Sequence, residues 1–220
     1  MESLLDSDVV VVGFDVLDPK TVPFDEALSY TPEEYLLRER SALERHEYHD
    51  GRIYAMPGSS KQHNLIASNL NYELQAHFRK YANQLGVFQS DLRVHNPMTM
   101  RYLYPDIVVA ETAQMDFADN FDDTLLNPLV IIEILSKSTE NYDRTKKFDA
   151  YKDIDSLQEY ILVSQRIPHI EVYSRKNRLE WLYREQYSLE SGLTLHSLAG
   201  LELRLAEVYA KVRFEDSDNY

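Results

Sequence analysis

The sequence predicts an α+β (α/β) fold, with a mixed central β-sheet flanked by helices. Two observations carry that expectation. Segments with helix and strand patterning follow one another as helix, strand, helix, three strands, helix, three strands, which is not the strict alternation of a doubly wound parallel sheet. Within that order, the apolar run 129–135 is followed by a helical segment and then by a second apolar run, 158–164. These three would form one right-handed crossover if the two strands run parallel.

The elements are read in chain order. Residues 1–30 form a poorly patterned acidic extension whose apolar piece "VVVVGF" could add an edge strand. In "YTPEEYLLRERSALERHE", Thr31 suits a helix N-cap, Pro32 the first turn, and Glu33 and Glu34 the positive end of the helix dipole. Asp50-Gly51 is a strong hairpin-turn signal, followed by a short strand that Pro57-Gly58 breaks. Ser59 or Ser60 opens a long helix, about 60–83, with Leu65, Leu70, Leu74, His77 and Phe78 approximating one stripe. "GVFQSDLRVH", "LYPDIVVAE" and "PLVIIEIL" read as strands, and "ENYDRTKKFDAYKDI" as a helix. "LQEYILVS", "HIEVYSR" and "RLEWLYRE" are three further strands, the last two joined at Lys176-Asn177. "LRLAEVYAKVRF" closes the chain as a helix, and residues 215–220 form an acidic tail beyond a single domain at 31–214.

Composition narrows the function classes. A chain of 220 residues, 44% hydrophobic and 27% charged, can bury one sizeable core. No apolar run reaches about 18 residues, so no membrane span is expected. The acidic start lacks the basic segment of a signal peptide, and the absence of cysteine fits a cytoplasmic protein while excluding thiolate metal sites and cysteine nucleophiles. The net charge of −14 argues against a general nucleic-acid binder. That charge is concentrated at the ends: seven acids and Lys20 lie in 1–30, and three acids in 215–220, leaving about −5 for 31–214. A nearly balanced body can carry a local basic groove.

Glu133 interrupts the most apolar strand of the chain, and Asp106 follows Pro105 at another. Because side chains alternate along a strand, Asp106 shares a face with Val108 and Ala110, and Glu133 with Ile131 and Leu135. Two readings fit these acids. They are ion-paired core acids or acids at solvent-facing strand ends, or they lie side by side and hold a divalent cation, for which oxygen ligands favour Mg²⁺ or Mn²⁺ over zinc. Lys147 shares a helical face with Asp143 and Tyr151; it is either paired with Asp143 in solvent or turned inward beside the carboxylates. His63 opens the long helix as a packing or capping residue, and Ser136, Ser138 and Thr139 read as caps whose hydroxyls could also meet a phosphate. Walker A, GxGxxG and GxSxG motifs are absent.

The ordered set "HEYHDGRIYAM", "KQHN", "YPDIVVA", "VIIEILSKST", "YDRTKKFDAYKDI" and "LQEYILV", spanning about 31–186, resembles the Uma family of the PD-(D/E)xK nuclease superfamily. The resemblance implies a restriction endonuclease-like fold. It makes Asp106 the acid of the PD element, Glu133 the acid of the (D/E)xK element, and Glu47 the family's earlier glutamate. The superfamily's lysine would stand where this chain has Leu135; the family's substitute falls at Lys147, and His63 matches a family histidine of no agreed role. The implied activity is Mg²⁺-dependent (or Mn²⁺-dependent) endonucleolytic hydrolysis of DNA, with metal held by Asp106, Glu133 and the backbone carbonyl of Ile134. Lys147 would position the water or stabilise the transition state, and Glu47 would complete the cluster. The competing expectation is a catalytically inactive nuclease scaffold that binds or regulates. A homodimer is expected, and Tyr173, Trp181 and Tyr183 on the late hairpin either form its interface or simply pack the sheet.

Overall fold

The computed structural model describes residues 23–214; the "VVVVGF" piece and the 215–220 tail lie outside them. The mixed α+β architecture is the one observed, distributed over two main sheets and a separate hairpin.

The chain enters through α1 (Pro32–Glu39), which starts as its sequence dictates. Thr31 Oγ1 accepts from Glu34 N–H while the Glu34 carboxylate accepts from Thr31 N–H, a complete capping box. The helix stops much earlier than its sequence pattern suggests. Glu39 is fully buried and its carboxylate accepts from His46 N–H and from the Tyr104 hydroxyl, so the chain folds back into a strand instead of extending the helix. That strand, β1 (His46–His49), pairs antiparallel with β2 (Arg52–Ala55) across Asp50-Gly51. Both turn residues have positive φ, +50° and +91°, as a tight hairpin of this kind requires. A Cβ at residue 51 would meet only the rotatable Ser29 Oγ at 2.5 Å, so it is the φ of +91° that calls for glycine.

The six-stranded sheet has the order β11-β10-β9-β8-β6-β3. Its strands are β3 (Leu85–Gln89), β6 (Ile107–Glu111), β8 (Val130–Leu135), β9 (Glu159–Ser164), β10 (Ile170–Arg175) and β11 (Trp181–Gln186). β8 and β9 run parallel, as the crossover reading requires; the other neighbours are antiparallel. The five-stranded sheet has the order β2-β1-β5-β4-β7, adding β4 (Arg93–Asn96), β5 (Arg101–Leu103) and β7 (Thr124–Leu125). The sequence read 86–95 and 103–111 as single strands. Ser90 and the Pro105-Asp106 step divide them, and each half joins a different sheet.

Alternation along β8 explains both layers of core. Val130, Ile132 and Ile134 face α2 (Lys61–Tyr81), whose buried stripe is Ile66, Leu70, Leu74 and Phe78. Burying each of these four side chains contributes about 1.5–3 kcal/mol, an upper bound on folding stability. The stripe runs through Ile66 rather than Leu65, the i, i+4 repeat that faces the sheet. The same face is closed by a hairpin of β12 (Gly192–Leu195) and β13 (Leu201–Arg204) and by a single turn, α5 (Leu205–Val208). The closing helix read from the sequence over 203–214 is therefore cut to the single turn α5, and its first two residues belong to β13, where Leu201 and Leu203 point in and Glu202 and Arg204 out, a period of two.

On the opposite face Ile131, Glu133 and Leu135 meet the helix that follows β8 and the buried side of the five-stranded sheet. That helix is α3 (Glu140–Tyr142), a π-helical turn (Asp143–Lys147) and α4 (Phe148–Tyr151). Of the two readings of the late-hairpin aromatics, packing holds for Tyr173 and Trp181, whose rings lie 4.7 and 5.4 Å from that of Phe148 on this helix. Tyr183 is 44% exposed on the outer strand β11.

Candidate active site

Three elements bring the sequence-singled acids together. Asp106 stands one residue before β6, opposite Glu133 if the antiparallel register Ile107↔Ile132 is extended by one step. One Asp106 oxygen accepts from Ile134 N–H at 2.7 Å, and the other lies 3.0 Å from His63 Nε2. In an antiparallel pair the N–H and C=O of one residue face the same neighbour. The Ile134 carbonyl therefore belongs to the same edge of β8 as its N–H, where β6 has not yet begun.

Lys147 is the centre of the cluster. Its Nζ lies 3.1 Å from each oxygen of Glu133, 3.2 Å from Glu47 Oε1 and 3.7 Å from Asp143 Oδ1. All four residues are buried. Both Asp143 and Lys147 lie on the inward side of the π-turn, and single π-turns recur at functional sites. It is held by Tyr160, whose hydroxyl donates to the Asp143 carbonyl, and by Arg144, whose guanidinium grips the buried Glu171 of β10.

Glu47 reaches Lys147 from β1, where the hairpin turns Glu47, His49, Arg52 and Tyr54 to one face and Tyr48 and Ile53 to the other. Its second oxygen accepts from the Tyr142 hydroxyl at 3.2 Å and lies 3.4 Å from His49 Nε2. Tyr142 Oη is also 2.7 Å from His49 Nε2. His49 and Tyr142 were not singled out by the sequence reading. The signal for His49 was its place two residues after Glu47 on one strand face; Tyr142 carries none without the fold.

The electrostatics show a cluster short of positive charge. Burial raises the Glu133 carboxyl well above its ordinary pKa; Lys147 pulls it down, and Asp106, Asp143 and Glu47 push it up again. Asp143 is raised for the same leading reason. Glu47 also pays for burial, but Lys147, His49 and the Tyr104 N–H outweigh it and hold its carboxyl at about 2. Desolvation opposes charge on Lys147, yet Glu133, Glu47, Asp143 and Asp106 together hold its ammonium well above the usual lysine value. Four carboxylates surround one lysine.

That donor set bears on a cation. Among the described residues no three His, Asp or Glu side chains converge as a ready metal cage. The available ligands are the Asp106 and Glu133 carboxylates and a main-chain carbonyl, all hard oxygens, in a cluster whose excess negative charge a divalent ion would relieve. On that chemistry the residues suit Mg²⁺ or Mn²⁺ better than zinc.

Two cavities meet at Lys147. The smaller, about 180 Å³, is lined by His63, Asp106, Glu133, Ser136 and Thr139 among others. Ser136 Oγ accepts from Thr139 N–H and so caps the turn that follows β8. The larger, about 710 Å³, opens on the Glu47 side. Lys146 lines it and is exposed.

The Uma2 family, described as "Putative restriction endonuclease", matches residues 32–206. Two proteins of Synechocystis sp. are similar in sequence. "Uncharacterized protein slr1290" is 35% identical over 184 residues, covering 84% of this chain and 93% of that one. "Uncharacterized protein sll1609" is 36% identical over 156 residues, covering 70% and 86%. A crystal structure of "a putative nuclease belonging to DUF820" from Anabaena variabilis superposes with a TM-score of 0.65 at 19% identity, covering 78% of this chain and 93% of that one. The restriction endonuclease-like architecture implied by the sequence motifs is thus the one observed.

Proposed function

The chain belongs to the Uma2 family, and from that membership we propose that it is a metal-dependent endonuclease hydrolysing DNA phosphodiester bonds. The observation that carries the reading is the convergence of Asp106, Glu133 and Glu47, from three separate strand regions, around the buried ammonium of Lys147.

Asp106, Glu133 and the Ile134 carbonyl are the groups that would hold Mg²⁺ or Mn²⁺. Bound there, the ion would supply Lewis acidity and a water of lowered pKa. The chain's own residues do the rest. His63 and the Ile134 N–H fix both oxygens of Asp106. Lys147 stays charged in this site and can donate to the attacking water or to a phosphate oxygen as negative charge builds. Glu47, kept ionised and steadied by Tyr142, anchors Lys147 from the far side. The test is cleavage of a mixed pool of DNA substrates in Mg²⁺ or Mn²⁺. Wild type should cut, and Asp106→Ala, Glu133→Ala and Lys147→Ala should each be inactive. Cleavage unchanged in Asp106→Ala and Glu133→Ala would refute the assignment.

One observation favours a second reading. Both Glu133 oxygens already face Lys147, so an inactive scaffold could keep this ion pair in place of a metal. Such a protein would not bind Mn²⁺ selectively. We also assign a second copy of the chain to the outer strand β11, where Leu182 and Tyr183 are exposed. Size-exclusion chromatography with light scattering tests that assignment, and a monomer would refute it. Among the described residues no helix is long and apolar enough to cross a membrane.

A further inference from the structure

The larger cavity has a construction that phosphodiester chemistry alone does not call for. Its floor is one face of the five-stranded sheet. The pairings His49↔Arg52 and His49↔Arg101 set Arg101, His49 and Arg52 in a row across β5, β1 and β2. In the next row Glu47 lies opposite Tyr54. Lys146 stands on the facing π-turn.

The rim is cationic in a strongly acidic protein. Arg52 and Lys146 are exposed, and among the described residues their side chains have no ion-pair or hydrogen-bond partner. Arg101 makes only a long contact to Asp50, at 3.9 Å, and one bond to the Lys146 carbonyl; its Nε is buried and unbonded. Arg52 and Lys146 thus stand uncommitted around one opening, with Arg101, weakly held, and the acidic Asp50 beside them.

The wall is aromatic. Tyr54 is 49% exposed and its ring lies 4.9 Å from that of His49; His49 in turn stacks on Tyr142 at 5.7 Å and 26°. This series of three rings runs from solvent to the hydroxyl that touches Glu47. Ala55, Met56 and Pro57 continue the apolar surface beside it. A duplex backbone needs a polar track and gains nothing from a recess of this lining. An unpaired base has a face to stack and a phosphate to pair, and takes both. The volume, about 710 Å³, lies within the 300–1,000 Å³ or so of pockets that enclose an organic group.

We propose that this cleft seats an unpaired nucleotide. The base stacks on Tyr54 and His49, the flanking phosphates meet Arg52, Arg101 and Lys146, and the next phosphate is delivered to Lys147. The two cavities share Met56, Pro57, Ser138, Thr139, Asp143 and Lys147, so a strand lying in one leads into the other. The inference rests on the nuclease reading for the direction of the strand. It makes the substrate single-stranded, frayed or base-flipped polynucleotide rather than intact duplex.

Binding measured without metal separates this inference from that reading. Fluorescence anisotropy in EDTA compares a short labelled single strand, as DNA and as RNA, with the duplex of the same sequence. The single strand should bind more tightly than the duplex, and the better-bound sugar names the source. Tyr54→Ala should weaken single-strand binding about tenfold, and Tyr54→Phe, which keeps the ring, should not. Lys146→Glu should weaken binding and lower its salt dependence. Duplex bound as tightly as single strand, or Tyr54→Ala without effect, would overturn the proposal. Single-strand binding that persists while no metal supports cleavage would support the seat and count against the nuclease.

Discussion

Lys147 Nζ lies equidistant from the two carboxylate oxygens of Glu133, at 3.1 Å, in the middle of an otherwise apolar strand. The pair explains why a glutamate is tolerated there. A lone buried carboxylate would cost several kcal/mol, and Lys147 offsets that cost. Because Glu47, Asp143 and Asp106 lean on the same ammonium, the offset is incomplete.

The two members of the pair should therefore respond to substitution in opposite directions. Lys147→Met leaves Glu133, Glu47 and Asp143 uncompensated and should destabilise the fold by about 3–5 kcal/mol. Glu133→Gln removes a charge whose carboxyl burial already raises, and should leave stability at neutral pH unchanged or increased while abolishing cleavage. Urea denaturation of both variants checks this. Loss of stability in Glu133→Gln comparable to that in Lys147→Met would contradict it.

Glu47 predicts a pH dependence of definite sign. Its carboxyl is held at about 2 against an ordinary 4.5, so the unfolded chain binds the proton more readily than the folded one. The stabilisation is then fully present above about 4.5 and is lost as pH falls toward 2. Wild type should exceed Glu47→Gln in stability by a few kcal/mol near neutrality. The gap should shrink steadily below pH 4.5, and a gap independent of pH would be inconsistent with an ionised Glu47.

Arg144 should act on Lys147 from a distance. It ties the π-turn to the buried Glu171 through Nε and through a 2.6 Å bond from its terminal nitrogen. Arg144→Ala leaves the buried Glu171 with only the longer contacts to Tyr183 Oη at 3.4 Å and His169 Nδ1 at 3.7 Å, and should cost about 3 kcal/mol, with lowered cleavage. Arg144→Lys cannot reproduce the planar fork and should recover only part of the stability. Thermal unfolding of the three proteins gives the order; full recovery in the lysine variant would show that charge alone suffices.

Much of the fold is legible in local chemistry. Thr31-Pro32-Glu33-Glu34, Asp50-Gly51 and the run around Glu133 each announce a cap, a turn and a buried strand, because those interactions lie within a few residues. The strand at 201–204 was hidden because "LRLAEV" serves two short periods in succession, two residues per repeat and then one helical turn. The site was less legible. Spacing relates Asp143 to Lys147, but nothing local relates Glu47 to Lys147, one hundred residues on and 3.2 Å away. Only the family motifs named Glu47; the strand period puts His49 on its face, and only the folded hairpin adds Tyr54.

Asp106 and Glu133 together are the proposed ligands of a divalent cation. Anomalous diffraction from Mn²⁺-soaked crystals of wild type and Asp106→Ala tests that assignment most directly. Wild type should show a peak between Asp106 and Glu133 that is absent from the variant. Density without a peak, with Lys147 still bridging Glu133 in the presence of Mn²⁺, would contradict it.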